Sequence, residues 1–299
     1  MGRGGDAVTT MLRRRQERRS LAIRAALGLL AAVLAISACA GASARDLRVC
    51  ADPNNLPFSN AAGEGFENRI VALLARDLGA RVQYTWWAQR RGAIRNTLNA
   101  GDCDVIPGMA SSGDMTGTTD PYYRSTYVFV SRADRGLRSL ASLDDPRLRT
   151  LRIGVQLVGD DGANPPPAMS LARRGIIDNV RGFTVYGDYA DKAPQAAVIR
   201  AVAHGDIDVA LVWGPTAGYF AALSGVPMVL APVTPWLDGP QSPMVFDISM
   251  GLRRDDRSLR RELDRALARN REAIGRILDD YHIPRVADPA ATAAANSRP

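Results

Sequence analysis

The chain is poor in the residues that carry most catalytic chemistry. It holds two histidines and three cysteines in 299 residues. His204 and His282 stand far apart, with no cysteine or carboxylate cluster at ligand spacing, so no metal site is expected. Asp160-Asp161-Gly162 reads as a turn, because the remaining acids of a calcium loop are missing. There is no G-x-S-x-G elbow, no phosphate loop and no G-x-G-x-x-G fingerprint, and no cofactor is expected. Past the N-terminal segment, no apolar run approaches the ~18 residues that a membrane span needs. The body also lacks a surplus of charge. Of the formal +7, residues 1–44 hold seven arginines and two acids, which leaves 31 basic and 29 acidic residues elsewhere. A body so nearly neutral carries no electrostatic footprint for nucleic acid.

The N-terminal segment has three parts. Arginines 13, 14, 15, 18, 19 and 24 precede an apolar run from Ala25 to Ala38, and Ala42-Ser43-Ala44 is a small-x-small site. This is an export signal occupying residues 1–44, too short in its apolar part to anchor a mature chain. Ile36-Ser37-Ala38-Cys39 offers a second ending, a lipoprotein tethered at Cys39. The mature chain is thus expected to be periplasmic. It keeps Cys50 and Cys103, and two readings stand for them: a disulfide in an oxidising compartment, or two buried thiols acting as small hydrophobes.

One stretch organises the mature chain. In Leu47 to Asn60, LRVCADPNNLPFSN, alternating Leu47, Val49 and Ala51 predict a strand that ends at Asp52-Pro53-Asn54-Asn55. Ligands of open α/β sheets bind beyond the C-terminal ends of strands, so this loop is expected to form one lip of a cleft. Ile70, Leu73, Leu74 and Leu78 predict a helix stopped by Gly79. A strand over Val82–Trp86, a helix over Ala93–Ala100 and a strand over Asp104–Gly108 complete a βαβαβ order, which implies parallel pairing.

Tyr122–Val130 is a further strand, and the polar run Ser131–Gly136 marks a first crossing between lobes. Leu151–Val155, Met169–Gly175, Phe183–Tyr186, Gln195–His204 and Val209–Trp213 alternate as strand and helix in a second lobe. Pro227–Pro235 is the second crossing. A strand over Ile248–Leu252 and one long helix through Leu259, Leu263, Leu267, Ile274, Ile277 and Tyr281 come next. G-D-x-D-V occurs at both 101–105 and 205–209, each time between a helix and a strand, which suggests two lobes built alike. The expected architecture is a two-lobed α/β fold of the Venus-flytrap type. Its first lobe is residues 45–132 and 233–286, its second lobe 133–232, and residues 287–299 form a disordered tail.

Two resemblances sharpen this. Gly65-Phe66-Glu67 with Ile70, Leu74, Ala75 and Leu78 resembles the signature of family 3 periplasmic solute-binding proteins, the polar amino-acid branch. Asn68 and Arg69 stand where that signature has an apolar residue and an acid. LRVCADPNNLPFSN, GEGFENRIVALLARDLG, YTWWAQRRG, RNTLNAGDCDV and DPYYRSTYVFV resemble the solute-binding-like protein found with methanol dehydrogenase and related quinoprotein dehydrogenases. That resemblance implies a periplasmic accessory factor partnered with a pyrroloquinoline-quinone-dependent dehydrogenase.

The amino-acid-binding branch implies an arginine about nine residues before the D-P-Y strand start, holding the substrate carboxylate. Here Met109 to Tyr123 contains no Arg or Lys. It also implies an acid near Trp213-Gly214 for the amino group, and none occurs before Asp238. A zwitterion with neither charge met is costly to bury, so a free amino acid is not the expected ligand. Candidate ligand contacts are Asn54, Asn55, Pro57, Phe58, Trp87, Gln89, Arg90, Arg91, Tyr122, Gln156 and Trp213. They offer flat apolar faces, amides and a bidentate basic pair. Trp86 and Tyr123 are expected in the core. Glu67 either points into the cleft or anchors a helix start, and as a lone acid it makes a dehydratase-like enzyme the weakest reading. The reading is of a non-catalytic binder. Its alternative is the receptor of an ABC importer, with a permease as partner, for a small organic solute other than an amino acid.

Overall fold

The computed structural model describes residues 45–88, 92–112, 115–157, 164–184, 190–239 and 242–287. The segment read as an export signal, with Cys39, the tail beyond residue 287, and Gln89, Arg90 and Arg91 lie outside the described residues. Residues from Asp46 onward form one compact unit.

In chain order the first half contains β1 (Arg45–Ala51), β2 (Asn54–Asn55), β3 (Ser59–Asn60), α1 (Phe66–Asp77), β4 (Ala80–Trp86), α2 (Ala93–Asn96), β5 (Val105–Ala110), β6 (Gly117–Thr118) and β7 (Tyr123–Arg132). The second half contains β8 (Ile153–Leu157), α3 (Pro166–Arg173), β9 (Val180–Thr184), α4 (Ala197–His204), β10 (Val209–Trp213), α5 (Gly214–Leu223), β11 (Met228–Pro232), β12 (Val245–Leu252), α6 (Arg257–Arg269) and α7 (Arg271–Asp280). The main sheet runs β4-β1-β5-β12-β7-β10-β8-β9, with β11 also on β7 and β6 on β12.

Pairing is parallel between β1 and β5, and again among β10, β8 and β9. Between these parallel parts stand β7 and β12, antiparallel to each other and to their other neighbours. The parallel order expected from βαβαβ therefore holds locally, and two long strands join the halves. The cores follow the same division. Leu47, Val49, Phe66, Ile70, Leu74, Val105, Leu263, Ile274 and Leu278 form one, with α1, α6 and α7 packed on β1 and β5. Two others lie around β8 and β10, holding Ile153, Leu171, Leu211 and Leu143 in one and Val130, Ile199, Val202 and Val212 in the other. Phe129, Val233 and Met244, assigned from the sequence to the first-lobe side, pack in the core of β8.

Helix α1 explains the two departures from the family signature. Phe66, Ile70, Val71 and Leu74 are buried on one face, each worth roughly 1.5–3 kcal/mol of transfer free energy. Asn68 Oδ1 accepts the N–H groups of Gly65 and Asn60 at 3.1 and 3.0 Å, and its Nδ2 donates to the Tyr84 hydroxyl at 3.0 Å. An apolar residue at 68 would leave those donors without that partner. Arg69 lies over the Tyr281 ring at 5.3 Å, which suits a cation and not an acid.

The G-D-x-D-V echo is structural. Arg48 in the middle of β1 grips Asp104 through both carboxylate oxygens and donates to the Gly101 carbonyl. Arg152, just before β8, grips Asp208 and the Gly205 carbonyl in the same way, across the same separation of 56 residues. Arg152 hydrogen bonding holds Asp208 below the usual carboxylate range. Burial raises Asp104, but Arg48 and Arg253 outweigh it and hold that carboxyl low too. Asp104 has the second guanidinium of Arg253 at 2.7 Å, and Asp208 has no second guanidinium bond among the described residues. Arg152→Ala is therefore expected to lower the urea midpoint more than Arg48→Ala, read by circular dichroism; the reverse order would break the equivalence.

Four local expectations change. The helix expected over 93–100 is one turn, Ala93–Asn96, entered through Gly92 at φ 85°. The long C-terminal helix is two, because Asn270 at φ −100°, ψ 11° ends α6 and starts α7. Helix α5 was not expected: apolar residues surround it and leave no periodic stripe. The segment read as a second crossing contains β11, an edge strand on β7.

Candidate functional site

The lip expected from LRVCADPNNLPFSN is a tight hairpin. Asn54 and Asn55 of β2 pair with Asn60 and Ser59 of β3. Asp52 Oδ1 accepts the Asn54 N–H at 2.8 Å, and the Asp52 carbonyl takes the Ser59 hydroxyl at 2.8 Å. Leu56–Pro57 is cis. Gly65 closes the hairpin against α1, since a Cβ there would lie 2.0 Å from the Phe58 carbonyl oxygen.

This hairpin meets the other half of the molecule. Asn54 Nδ2 donates to the Asp191 carbonyl at 2.9 Å. Gln195 Nε2 donates to the Asn54 carbonyl at 2.9 Å and to Asn55 Oδ1 at 3.0 Å. Leu56 packs against the core of Val198 and Ile199. The two lips are thus bonded across the cleft.

Behind them lies a cavity of about 420 Å³. Asp52, Asn55, Phe58, Gly108, Ala110, Phe246 and Ile248 line one side; Tyr127, Gln156, Pro165, Gln195, Trp213 and Thr216 line the other. Tyr127, Trp213 and Phe246 make a mutual edge-to-face cluster, with centroids 5.2, 5.7 and 6.4 Å apart. Burial pushes the Tyr127 hydroxyl up, so it stays neutral at physiological pH. Among the described lining residues there is no arginine, lysine, histidine or cysteine.

Of the residues singled out from sequence, Asn55, Phe58, Gln156 and Trp213 line this cavity, and Asn54 stands at its mouth. Pro57 does not line it; its carbonyl accepts the Phe66 N–H. Trp87 is not among the walls and is 43% exposed, its backbone N–H bonded to the Ala51 carbonyl. Tyr122 is not among the walls of this cavity: it lines a separate pocket with Arg271 and Ile274, although its hydroxyl accepts the Gly108 N–H at 3.1 Å. Tyr123 is core, as expected. Sequence reasoning missed Gln195, Thr216, Tyr127 and Phe246 as cavity walls. Thr216 sits on the unrecognised α5, and Phe246 precedes the expected start of its strand.

Glu67 does not line this cavity; it is the acidic residue in the first turn of α1. It is 2% exposed, and no described group bonds its Oε1. The carboxyl lies against Gly108, where a Cβ would come within 2.1 Å of Oε1 and where φ is 75°. Burial pushes its pKa up to about 8. Gly108 lies where the pairing of β5 with β12 shifts register, so the glycine lets the strand pass over the acid. Cys50 and Cys103 are bonded to each other, with Cα atoms 5.6 Å apart, which settles the two readings left open for them.

Comparison with known proteins agrees with this architecture. The chain is 30% identical over 297 residues to the protein MoxJ of Methylorubrum extorquens, covering 91% of this chain and 96% of that one. A crystal structure of the periplasmic binding protein XoxJ from Methylobacterium extorquens AM1 superposes with a TM-score of 0.66 at 37% identity, over 81% of this chain and all of that one. That of MxaJ from Methlophaga aminisulfidivorans MPT shares the fold, with a TM-score of 0.68 at 24% identity, over 80% of this chain and all of that one. Residues 47–282 match bacterial extracellular solute-binding proteins, family 3, and the chain belongs to that family.

Proposed function

We propose that this protein is an exported, non-catalytic accessory binder of a pyrroloquinoline-quinone-dependent, methanol-type dehydrogenase, acting through the cleft between its lobes. One observation carries the reading: the cavity walls are aromatic and amide, without a basic residue among those described. An amino-acid carboxylate would enter without its counter-ion, at a cost of several kcal/mol. The long motifs shared with dehydrogenase-associated solute-binding-like proteins, and the likeness to MoxJ over nearly the whole chain, support the partner. The arginine-rich N-terminal segment and the Cys50–Cys103 disulfide support a periplasmic location. The described lining holds one carboxylate, Asp52, already bonded to the hairpin, and the Thr216 and Tyr127 hydroxyls have no histidine, lysine or cysteine among the described lining residues to activate them, which supports binding without catalysis. We place the crossings inside β7 and β12, so that closure is a rotation about those strands.

The test is a pull-down with the purified dehydrogenase. Retention at micromolar concentration is expected, and no retention would sink the reading. The cavity between the lips also fits the receptor of an ABC importer. A thermal-shift screen of metabolites separates the two, since a ligand at a hundred times its Kd adds about 2.7 kcal/mol of stability.

A further inference from the structure

The bonds between the two lips are made by the chain's own groups, amide directly to carbonyl. Gln195 Nε2 places both of its hydrogens on the hairpin, one on the Asn54 carbonyl at 2.9 Å and one on Asn55 Oδ1 at 3.0 Å. Asn54 returns a bond, its Nδ2 donating to the Asp191 carbonyl at 2.9 Å. Leu56, in the turn between β2 and β3, packs against the core of Val198 and Ile199 in the other half. One hydrogen bond shifts an equilibrium by roughly two- to twelvefold, so three of them favour the joined lips by on the order of ten- to a thousandfold.

Each side of this contact is also fixed by bonds of its own. Asp52 and Ser59 hold the hairpin, and Gly65 seats it on α1. Across the cleft, Asp191 Oδ1 accepts the Ala193 N–H at 3.0 Å and Oδ2 takes Arg200 at 2.8 Å, which sets the carbonyl that Asn54 reaches. Gln195 is 3% exposed and lies in the single turn Pro194–Ala196 that leads into α4. Groups ordered in this way lose little conformational freedom on joining, so the gain from the bonds is kept.

We propose that the hairpin and Gln195 form a latch that makes the joined state of the two lobes the resting state of the mature chain by itself. Opening the cleft means breaking the bonds of Gln195 to Asn54 and Asn55 and withdrawing Leu56. This rests on the two-lobed reading with its crossings in β7 and β12, and not on the dehydrogenase; the pull-down and the measurement below fail separately.

The experiment is a pulsed dipolar distance measurement between spin labels at Ala62→Cys, beside the hairpin, and His204→Cys, at the end of α4, both exposed positions. Cys50 and Cys103 are bonded to each other and take no label. The labelled mature chain is unfolded without reductant and refolded, to strip any carried ligand. One distance is expected, at the separation the structure sets. Gln195→Ala should raise the share of a longer distance at least about fivefold, and Gln195→Ala with Leu56→Ala should make the longer distance the major one. Circular dichroism checks that each variant folds; if one does not, the wild type and the other variant decide. A wild type whose main distance is the longer one overturns the proposal. So does a single unchanged distance in every variant that folds, even where the melting temperature drops, because Gln195 would then support the fold without holding the lobes together.

Discussion

Replacing Cys50 and Cys103 together by alanine is expected to lower the melting temperature by about 10 °C. The bond joins two parallel neighbours, β1 just before the hairpin lip and the chain entering β5, whose Val49 and Val105 are paired. It closes a loop across a sequence separation of 53 that contains the hairpin, α1 and β4. On the chain-entropy account a loop of that length is worth about 4 kcal/mol, and a body of this size shifts by about 2–4 °C per kcal/mol. Both cysteines are buried with Leu98 and Ile106, so alanine also loses packing, which adds to the drop. Wild-type protein in reductant should fall by a similar amount, and the double variant should not respond. A drop below about 2 °C would mean that the unfolded chain gains little freedom from the break, and the account would fail.

The same pair shows where sequence reasoning ran out. Cys103 occupies the third place of G-D-x-D-V, where the second copy has Ile207, also buried. Alignment of the copies favours two hydrophobes, and pattern alone does not bring Cys50 beside Cys103; pairing of β1 with β5 does. Elements with a clear period were legible: β1 through Leu47 and Val49, α1 through Ile70 and Leu74. Helix α5 was hidden because Ala217, Gly218 and Phe220 are buried around a segment with no polar stripe. The cavity was half legible for a related reason. Phe58, Gln156 and Trp213 lie at or beyond strand ends, which topology rules pick out. Gln195 reaches the hairpin from 140 residues away, and no local signal announces that contact. Tyr122, at a strand start, reaches only the back of Gly108 with its hydroxyl and lines a different pocket.

Glu67 should make the protein less stable as pH rises through the neutral range, and Glu67→Gln should abolish that loss. The carboxyl is enclosed by α1 and β5, and burial raises its pKa to about 8 against about 4.3 in an unfolded chain. Between those values the folded state holds a proton that the unfolded state releases. Its contribution is therefore full below about pH 4.3 and is lost as pH climbs to about 8. The slope approaches 1.4 kcal/mol per pH unit, or about 3 kcal/mol between pH 5.5 and 8. The aspartates held low by arginine, Asp104 and Asp208, act in the opposite sense and only in acid, below the unfolded carboxylate range, so the two windows do not overlap. Wild type should therefore melt at least about 6 °C lower at pH 8 than at pH 5.5, while Glu67→Gln melts nearly alike at both. Gly108 lets this acid sit beneath the cavity floor, and Gly108→Ala, which drives a methyl into Oε1 at φ 75°, should lower stability at every pH without changing the slope. Parallel pH slopes in wild type and Glu67→Gln would show that the acid is ionised in the fold, and a cation from outside the described residues would then have to stand beside it.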